Sequence, residues 1–362
     1  MNHPPSFSSP PSLTLVRSLT QNILKEQQDR KTGRNIIFFA VDGIPHNIAS
    51  KAWIGASQIL EMRSVIPSTS SSAWTSAFTG NTVSQHGVVG TVFKINCDEP
   101  PINIYDTLNY TQLSSTGNIF SDAKSLGYMP VALESDLSIL SCRWKSDLLN
   151  SATIINSGGF FSNLPPNKGS LEVIKKKLKD CIADITSEHN SPKFIWCFLD
   201  IDHWIHNIGY SSLVSEFLAF INDFSIELTN LDHVVIAHSD HGLVPIKNCS
   251  FIESLICTIT ESFNATMGGA GRVRWFYSKY PEEYLLDTLK SNSKGLLNVY
   301  SNKEYTSANN LTGQAALRIG KAIITPTTDS FINEAGYTYE HGSNSPQELN
   351  IPFACWKPDN EI

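Results

Sequence analysis

The chain has 362 residues, 41% apolar and 17% charged, enough for one large α/β domain or two medium ones with a sizeable core. A net charge of −7 argues against a nucleic-acid-binding surface, which shows as a basic excess. The first residues, MNHPPSFSSPPSLTLV, lack a charged stretch followed by an apolar one, and the longest early apolar run, Ile36 to Val41, is far too short to cross a bilayer. No secretory signal and no membrane segment are therefore expected. Seven scattered cysteines without a CxxC pair read as free thiols, and the expected setting is the cytoplasm.

Residues 1–33 are Pro/Ser-rich and then polar, with one amphipathic helix predicted around Leu13 to Lys25, and read as a peripheral arm. The rest, 34–362, reads as one domain. Its first core strand, Asn35 to Val41, is a continuous apolar run of the kind buried on both faces of a parallel sheet, and it ends in Asp42-Gly43. His46 and Asn47 follow closely enough to line a pocket there. Helices at Ile119 to Leu126 and Val214 to Leu228 alternate with strands at Met129 to Leu133, Phe194 to Leu199 and His233 to Ala237. This alternation predicts a doubly wound, mainly parallel α/β sheet with helices on both faces. The Lys175, Lys176, Lys177 and Lys179 cluster lies in an amphipathic helical pattern and reads as a solvated helix face. Residues of about 250–335 are less regular, with short strands at Val273 to Tyr277 and Ala322 to Thr325, and read as a small insertion before the last core strand, Asn350 to Cys355. Within it, the run GGAGRVR offers Arg272 and Arg274 as candidate anion contacts.

The stretch Ser64 to Gly87, SVIPSTSSSAWTSAFTGNTVSQHG, is crowded with hydroxyls and nearly uncharged. Such composition usually marks a flexible linker, but Trp74, Ala77 and Phe78 suit a packed helix. Pro67-Ser68-Thr69-Ser70 then presents a hydroxyl at a helix N-terminus, where backbone N–H groups and the helix dipole favour an anion. That arrangement suits a nucleophile if other groups activate it.

Those groups are present in pattern. Predicted strands end in Asp42-Gly43, in Asp200-Ile201-Asp202-His203-Trp204-Ile205-His206 and in His238-Ser239-Asp240-His241-Gly242, and Glu340-His341-Gly342-Ser343 precedes the last strand. Open α/β sheets place ligands at the carboxyl ends of their strands. Asp and His suit zinc and similar divalent ions. Asp202 and His206, four apart, share a face of one helical turn, with Asp200 and His203 a competing pair. His233 and His238 read as structural.

In this order, Asp-Gly, Pro-x-x-Ser followed by Thr-Gly and His-Gly, Asp-x-x-x-His, Ser-Asp-His-Gly and a late His-Gly, the chain resembles the alkaline phosphatase superfamily. The branch it resembles is the type I phosphodiesterase/nucleotide pyrophosphatase family. The spacing from Pro67 to His86 and the ending HGSNSPQELNIPF carry the likeness, which spans about residues 34 to 356. The resemblance implies two divalent metal ions, Zn²⁺ or else Mn²⁺. One would be held by Asp202, His206 and His341, the other by Asp42, Asp240 and His241 together with a nucleophilic Ser70, with Thr69 as the alternative hydroxyl. It implies a small-molecule phosphoester substrate and a phospho-serine intermediate. Thr79, Gly80, His86 and Gly87 match the pattern as packing and turn residues.

Two departures narrow the expectation. Nucleotide pyrophosphatases carry an Asn three residues after the nucleophile, and here that position is Ala73. No Cys-x-Pro-x-Arg sequence occurs, so formylglycine-based sulfatase chemistry is not expected. The expected activity is phosphodiester hydrolysis. A monoesterase, a phosphonate hydrolase or a phospho-group transferase is the alternative, and a non-catalytic phospho-ligand binder would have lost ligand positions that are all kept here.

Overall fold

In the computed structural model, residues 10–108, 117–187, 191–333 and 335–358 are described. The central sheet has seven strands: β1 (Ile36–Val41), β2 (Gln58–Arg63), β3 (Met129–Leu133), β4 (Thr153–Ile155), β5 (Lys193–Leu199), β6 (Val234–His238) and β7 (Asn350–Trp356). They lie in the order β2-β7-β6-β1-β5-β3-β4. Pairing is parallel from β6 through β4 and antiparallel where β7 meets β6 and β2. The mainly parallel α/β sheet read from the alternation is therefore what the chain forms.

Helices cover both faces. They are α1 (Val16–Asp29), α2 (His46–Ala52), α3 (Ser70–Thr79), α4 (Ile119–Ser125), α5 (Lys168–Ser187), α6 (Asp202–Ile208) and α7 (Ser212–Asn230). Successive side chains of a strand point to opposite faces, so β1 divides its apolar run between two cores. Ile36, Phe38 and Ala40 pack with Trp74 and Phe78 of α3 and Phe120 of α4. Ile37, Phe39 and Val41 pack with Leu171 and Ile174 of α5 and Phe217 and Ile221 of α7. Lys175 pairs with Glu216 at 2.8 Å, and Lys179 pairs with Glu227 while its ammonium lies 5.2 Å from the Phe224 ring centre. Lys175 and Lys179 thus bind α5 to α7, whereas Lys176 pairs with Asp180 of its own helix.

The segment read as a peripheral arm is packed in. Leu13, Val16 and Leu24 are fully buried in the same core as α3, because α1 is amphipathic and its apolar stripe has a sheet layer to cover. Arg17 pairs with Asp122 at 2.7 Å and donates to the Thr79 carbonyl at 2.8 Å, tying α1 to α4 and α3. Residues 1–9 of that segment lie outside the described residues.

Residues of about 250–335 supply Thr266–Ala270, Val273–Tyr277, Leu297–Ser301 and Ala322–Pro326 to a second, six-stranded sheet. The remaining two strands, Val92–Phe93 and Ile102–Asn103, come from far earlier in the chain, with Val92 paired to Gly269. Val273, Trp275 and Ile323 share the core of α3. This substructure is a separate sheet that shares the core of the main one and lines the cavity at its carboxyl edge.

Trp196 is fully buried, with Phe78, Phe198 and Phe120 ring centres at 5.2, 5.7 and 6.2 Å. Trp196→Ala is expected to cost about 3–5 kcal/mol of stability, read as a lowered urea midpoint and Tm.

Candidate metal centre and active site

Sheet register assembles the site. Ala40 of β1 lies opposite Phe198 of β5 and His238 of β6, so these three strands stop at one level. Asp42, Asp200 and Asp240 emerge there from adjacent strand ends. Antiparallel β7 begins at the same edge, Phe353 lying opposite His238, which brings the preceding loop with His341 to the same place.

The first cluster is Asp42, Asp240 and His241, all buried. The His241 Nε2 lies 3.5 Å from Asp42 Oδ1, 3.3 Å from Asp240 Oδ2 and 3.0 Å from Ser70 Oγ. The opposite carboxylate oxygens are already held: Trp74 Nε1 donates to Asp42 Oδ2 at 3.1 Å, and the Gly43 amide donates to Asp240 Oδ1 at 3.3 Å. Asp42 Oδ1 and Asp240 Oδ2 have no hydrogen-bond partner among the described residues. Buried, unpaired carboxylate oxygens aimed at one point are costly unless a cation fills it.

The second cluster is built on α6. Asp202 and His206 share one helix face, with His206 Nε2 3.2 Å from Asp202 Oδ1, and His341 Nε2 is 3.7 Å from Asp202 Oδ2. Two backbone carbonyls, of Tyr339 and Ser68, lie 2.7 and 2.8 Å from the Nδ1 atoms of His206 and His341. A carbonyl only accepts, so each Nδ1 carries the proton and each Nε2 presents its lone pair to the site. The His241 and His341 rings stack with centres 3.8 Å apart, and Asp202 Oδ2 reaches to within 3.9 Å of His241 Nε2, joining the clusters. Histidine and carboxylate donors with these free atoms fit two divalent ions.

The electrostatics carry the same signature. Burial, followed by the charges of Asp240 and Asp202, raises the Asp42 carboxyl well above its usual range. Asp240 is pushed up to about 7, mainly by burial and then by Asp202. Burial would also raise Asp202, but its contacts with His206 and the nearby His341 and His241 outweigh this and hold it low. Burial opposes charge on His206, yet Asp202 raises it to about 10. Burial, then His341, keeps His241 well below its ordinary value. Carboxylates crowded this way need cationic partners at neutral pH.

Among many hydroxyls, hydrogen bonding singles out one. Thr69 turns its Oγ1 to the Ser71 and Ser72 hydroxyls at 3.4 and 3.2 Å. Ser72 donates to the Val88 carbonyl, Thr75 and Thr79 bond back along α3, and Ser76 pairs with His86 at 2.8 Å. Ser70, the first residue of α3, is the one directed at the metal clusters, 3.0 Å from His241. His86 and His238 are held in packing roles, near Ser76 Oγ and the Pro352 carbonyl respectively.

A cavity of about 530 Å³ opens from this centre, with Asp42, Ser70, Asp202, His206 and His341 at one end. Arg274 lines it. Arg272 does not: its Nε is 3.4 Å from Glu348 Oε1, in a buried pair behind the His341 loop. His46 and Asn47 also fall outside the cavity, because α2 starts at His46 and carries them away from the strand edge, His46 lying 3.9 Å from Glu61. Lining residues not assigned from the sequence include Trp74, Tyr105, Trp144, Asp200 and Glu340. Trp74 was legible as the residue one helical turn after Ser70, and Glu340 as the neighbour of His341. Tyr105 and Trp144 carry no local signal.

No protein-family model and no curated protein matches the sequence. Solved structures do. Mouse ectonucleotide pyrophosphatase/phosphodiesterase 5, an inactive variant in complex with AMP, aligns with a TM-score of 0.63 at 14% identity, covering 90% of this chain and 88% of that one. Phosphonoacetate hydrolase from Sinorhizobium meliloti 1021, in complex with phosphonoformate, gives 0.64 at 14% identity over 91% of each chain. The fold of this chain is the alkaline phosphatase-like fold of those hydrolases.

Gly43 has φ +80°, and a Cβ there would stand 2.6 Å from the Asp202 Cβ. Gly43→Ala is expected to cost about 1–3 kcal/mol and to lower divalent-ion content per chain, measured by elemental analysis. A second expectation concerns pH. Asp240, raised from 3.8 to about 7, favours folding when protonated, and that contribution fades as pH rises from about 4 through 7 in the metal-free protein. Ions must displace this proton at lower pH, so the Tm gain on adding Zn²⁺ should be larger at pH 8 than at pH 6 by differential scanning fluorimetry.

Proposed function

We propose that this protein is a metal-dependent phosphodiesterase with Ser70 as its nucleophile. The observation carrying this reading is the Ser70 hydroxyl at the N-terminus of α3, 3.0 Å from His241 and facing carboxylate oxygens that lack protein partners. Asp42, Asp240 and His241, with Ser70, would hold one ion, and Asp202, His206 and His341 the other, with zinc the best match to this donor set. When bound, such ions supply Lewis acidity, lowering the pKa of a coordinated hydroxyl and neutralising charge on a phosphoryl group.

The chain's own residues supply the rest. The α3 N-terminus directs its dipole and unpaired N–H groups at the phosphoryl oxygens. Ser70 Oγ attacks phosphorus, forming a phospho-serine as the bond to the leaving alcohol breaks, and the proton given up by the Ser70 hydroxyl ends on that alcohol. Water then hydrolyses the phospho-serine and restores the hydroxyl. Leu137, Ile139, Leu140 and Phe198 also line the cavity and suit the organic substituent of a diester, while Tyr105 lies close enough to Asp42 and Asp240 to feel their charge. Ala73, fully buried in the core, offers no amide to the phosphate, so this contact of nucleotide pyrophosphatases is not made. Free cysteines, Cys97 and Cys257 exposed among them, suit a reducing compartment, and we assign the protein to the cytoplasm. No described helix is long and apolar enough to cross a membrane.

Ser70→Ala should lower turnover of bis-(p-nitrophenyl) phosphate by about 10³-fold or more while ion content stays at the wild-type level. Retained turnover would overturn the nucleophile assignment. Parallel rates on p-nitrophenyl phosphate and phosphonoacetate should be slower than on the diester, and a faster rate on either reassigns the substrate class.

A further inference from the structure

The second cluster, as the family pattern implies it, is short of negative charge. Asp42 and Asp240 both face the first site, whereas Asp202 is the one carboxylate among the three residues of the second, and its Oδ2 also lies 3.9 Å from His241. Glu340 stands beside that site. Its Oε1 is 3.6 Å from His341 Nε2 and 3.9 Å from Nδ1 of the His206 ring, and ligand-type atoms of His206, Glu340 and His341 lie within 4.8 Å of one another. Two donors each about 2.0–2.1 Å from a tetrahedral ion stand roughly 3.4 Å apart. The separations of 3.2 Å from His206 Nε2 to Asp202 Oδ1, and of 3.7 and 3.6 Å from His341 Nε2 to Asp202 Oδ2 and Glu340 Oε1, are each close to that spacing.

The fold also holds the Glu340 carboxylate in place. Glu340 pairs with Val244 in a short antiparallel ladder, and its Oε1 accepts the His341 amide at 2.9 Å. Gly271, at φ +49°, closes over it: a Cβ at that position would stand 2.7 Å from Glu340 Oε1 and would collide with the His341 carbonyl. The side chain lines the substrate cavity with Arg274 and Tyr337.

Resting on the two-ion reading above, we infer that Glu340 is a fourth protein ligand of the second ion, completing Asp202, His206 and His341. Each ion then has two carboxylates. Four carboxylates balance two dications, and a metal pair without net charge favours a singly charged diester over a doubly charged monoester.

The test is Glu340→Gln, whose amide oxygen still accepts the His341 N–H, with Glu340→Asp as a second variant should the first fold poorly. Zn²⁺ is titrated against a competing chelator, and Co²⁺-substituted protein is read by its visible d–d absorption. Wild type should bind two ions. In the Gln variant one ion should keep its affinity while the other weakens by about tenfold or more and its Co²⁺ bands shift. Two ions with unchanged affinities, or a weaker second ion with unchanged Co²⁺ bands, would overturn the ligand assignment alone. Fewer than two ions in wild type would instead overturn the two-ion reading on which it rests.

Discussion

The structure turns on a like-charge problem. Asp42, Asp202 and Asp240 are buried together at the carboxyl edge of the central sheet, and two of their oxygens face no donor. Burial, and then mutual repulsion, are what raise Asp42 and Asp240. In a water-poor site such a grouping is tolerated only with cationic partners. Elsewhere in the cores the chain buries Ile, Leu, Phe and Trp. The scaffold's stability therefore supports a locally unfavourable arrangement whose donor atoms could be compensated by bound cations.

That arrangement depends on strands more than on loops. β1, β5 and β6 end level with one another, so Asp42 and Asp240 after β1 and β6 meet Asp202 at the start of the helix that follows β5. Tyr210 locks the turns: its hydroxyl donates to the Gly43 carbonyl at 2.9 Å and accepts from the Leu243 amide at 2.8 Å, bridging the loops after β1 and β6. Ser239 does the same from inside, accepting from the Ile44 amide at 2.8 Å. Ligands held by rigid strand ends and cross-braced turns keep their geometry with little reorganisation.

The second sheet sets the other end of the cavity. Thr266–Ala270, with its glycines, and Val92 bring backbone close to the metal edge, while the segment around Leu137 to Trp144 supplies apolar cover. Gly268 could not carry a side chain there, since a Cβ would meet the Trp275 indole and the Val92 carbonyl. The result is a cavity lined by the acidic cluster and by apolar residues, Leu137, Ile139, Leu140 and Phe198 among them. Trp74 serves both parts, fixing Asp42 through its indole N–H while its ring closes the core beneath Ser70.

What the sequence by itself determined was local. The apolar run into Asp42-Gly43, the four-residue step from Asp202 to His206 and the hydroxyl-rich turn into α3 each follow from strand burial, helix periodicity and helix-terminus chemistry over a few residues. They sufficed for the sheet type, whereas the full set of candidate metal ligands was implied by the family resemblance. Only the tertiary structure decided which hydroxyl faces the metal edge, because Thr69 and Ser70 differ in direction and not in chemistry. It decided likewise that Arg274 lines the cavity while Arg272 pairs with Glu348, that Glu340 stands among the histidines, and that α1 is part of the core. Tyr105 and Trp144 reach the cavity from segments without any chemical motif. These contacts join residues up to 171 positions apart, and their geometry is set by sheet register and by the packing of the second sheet against the first. No periodicity within one segment encodes that.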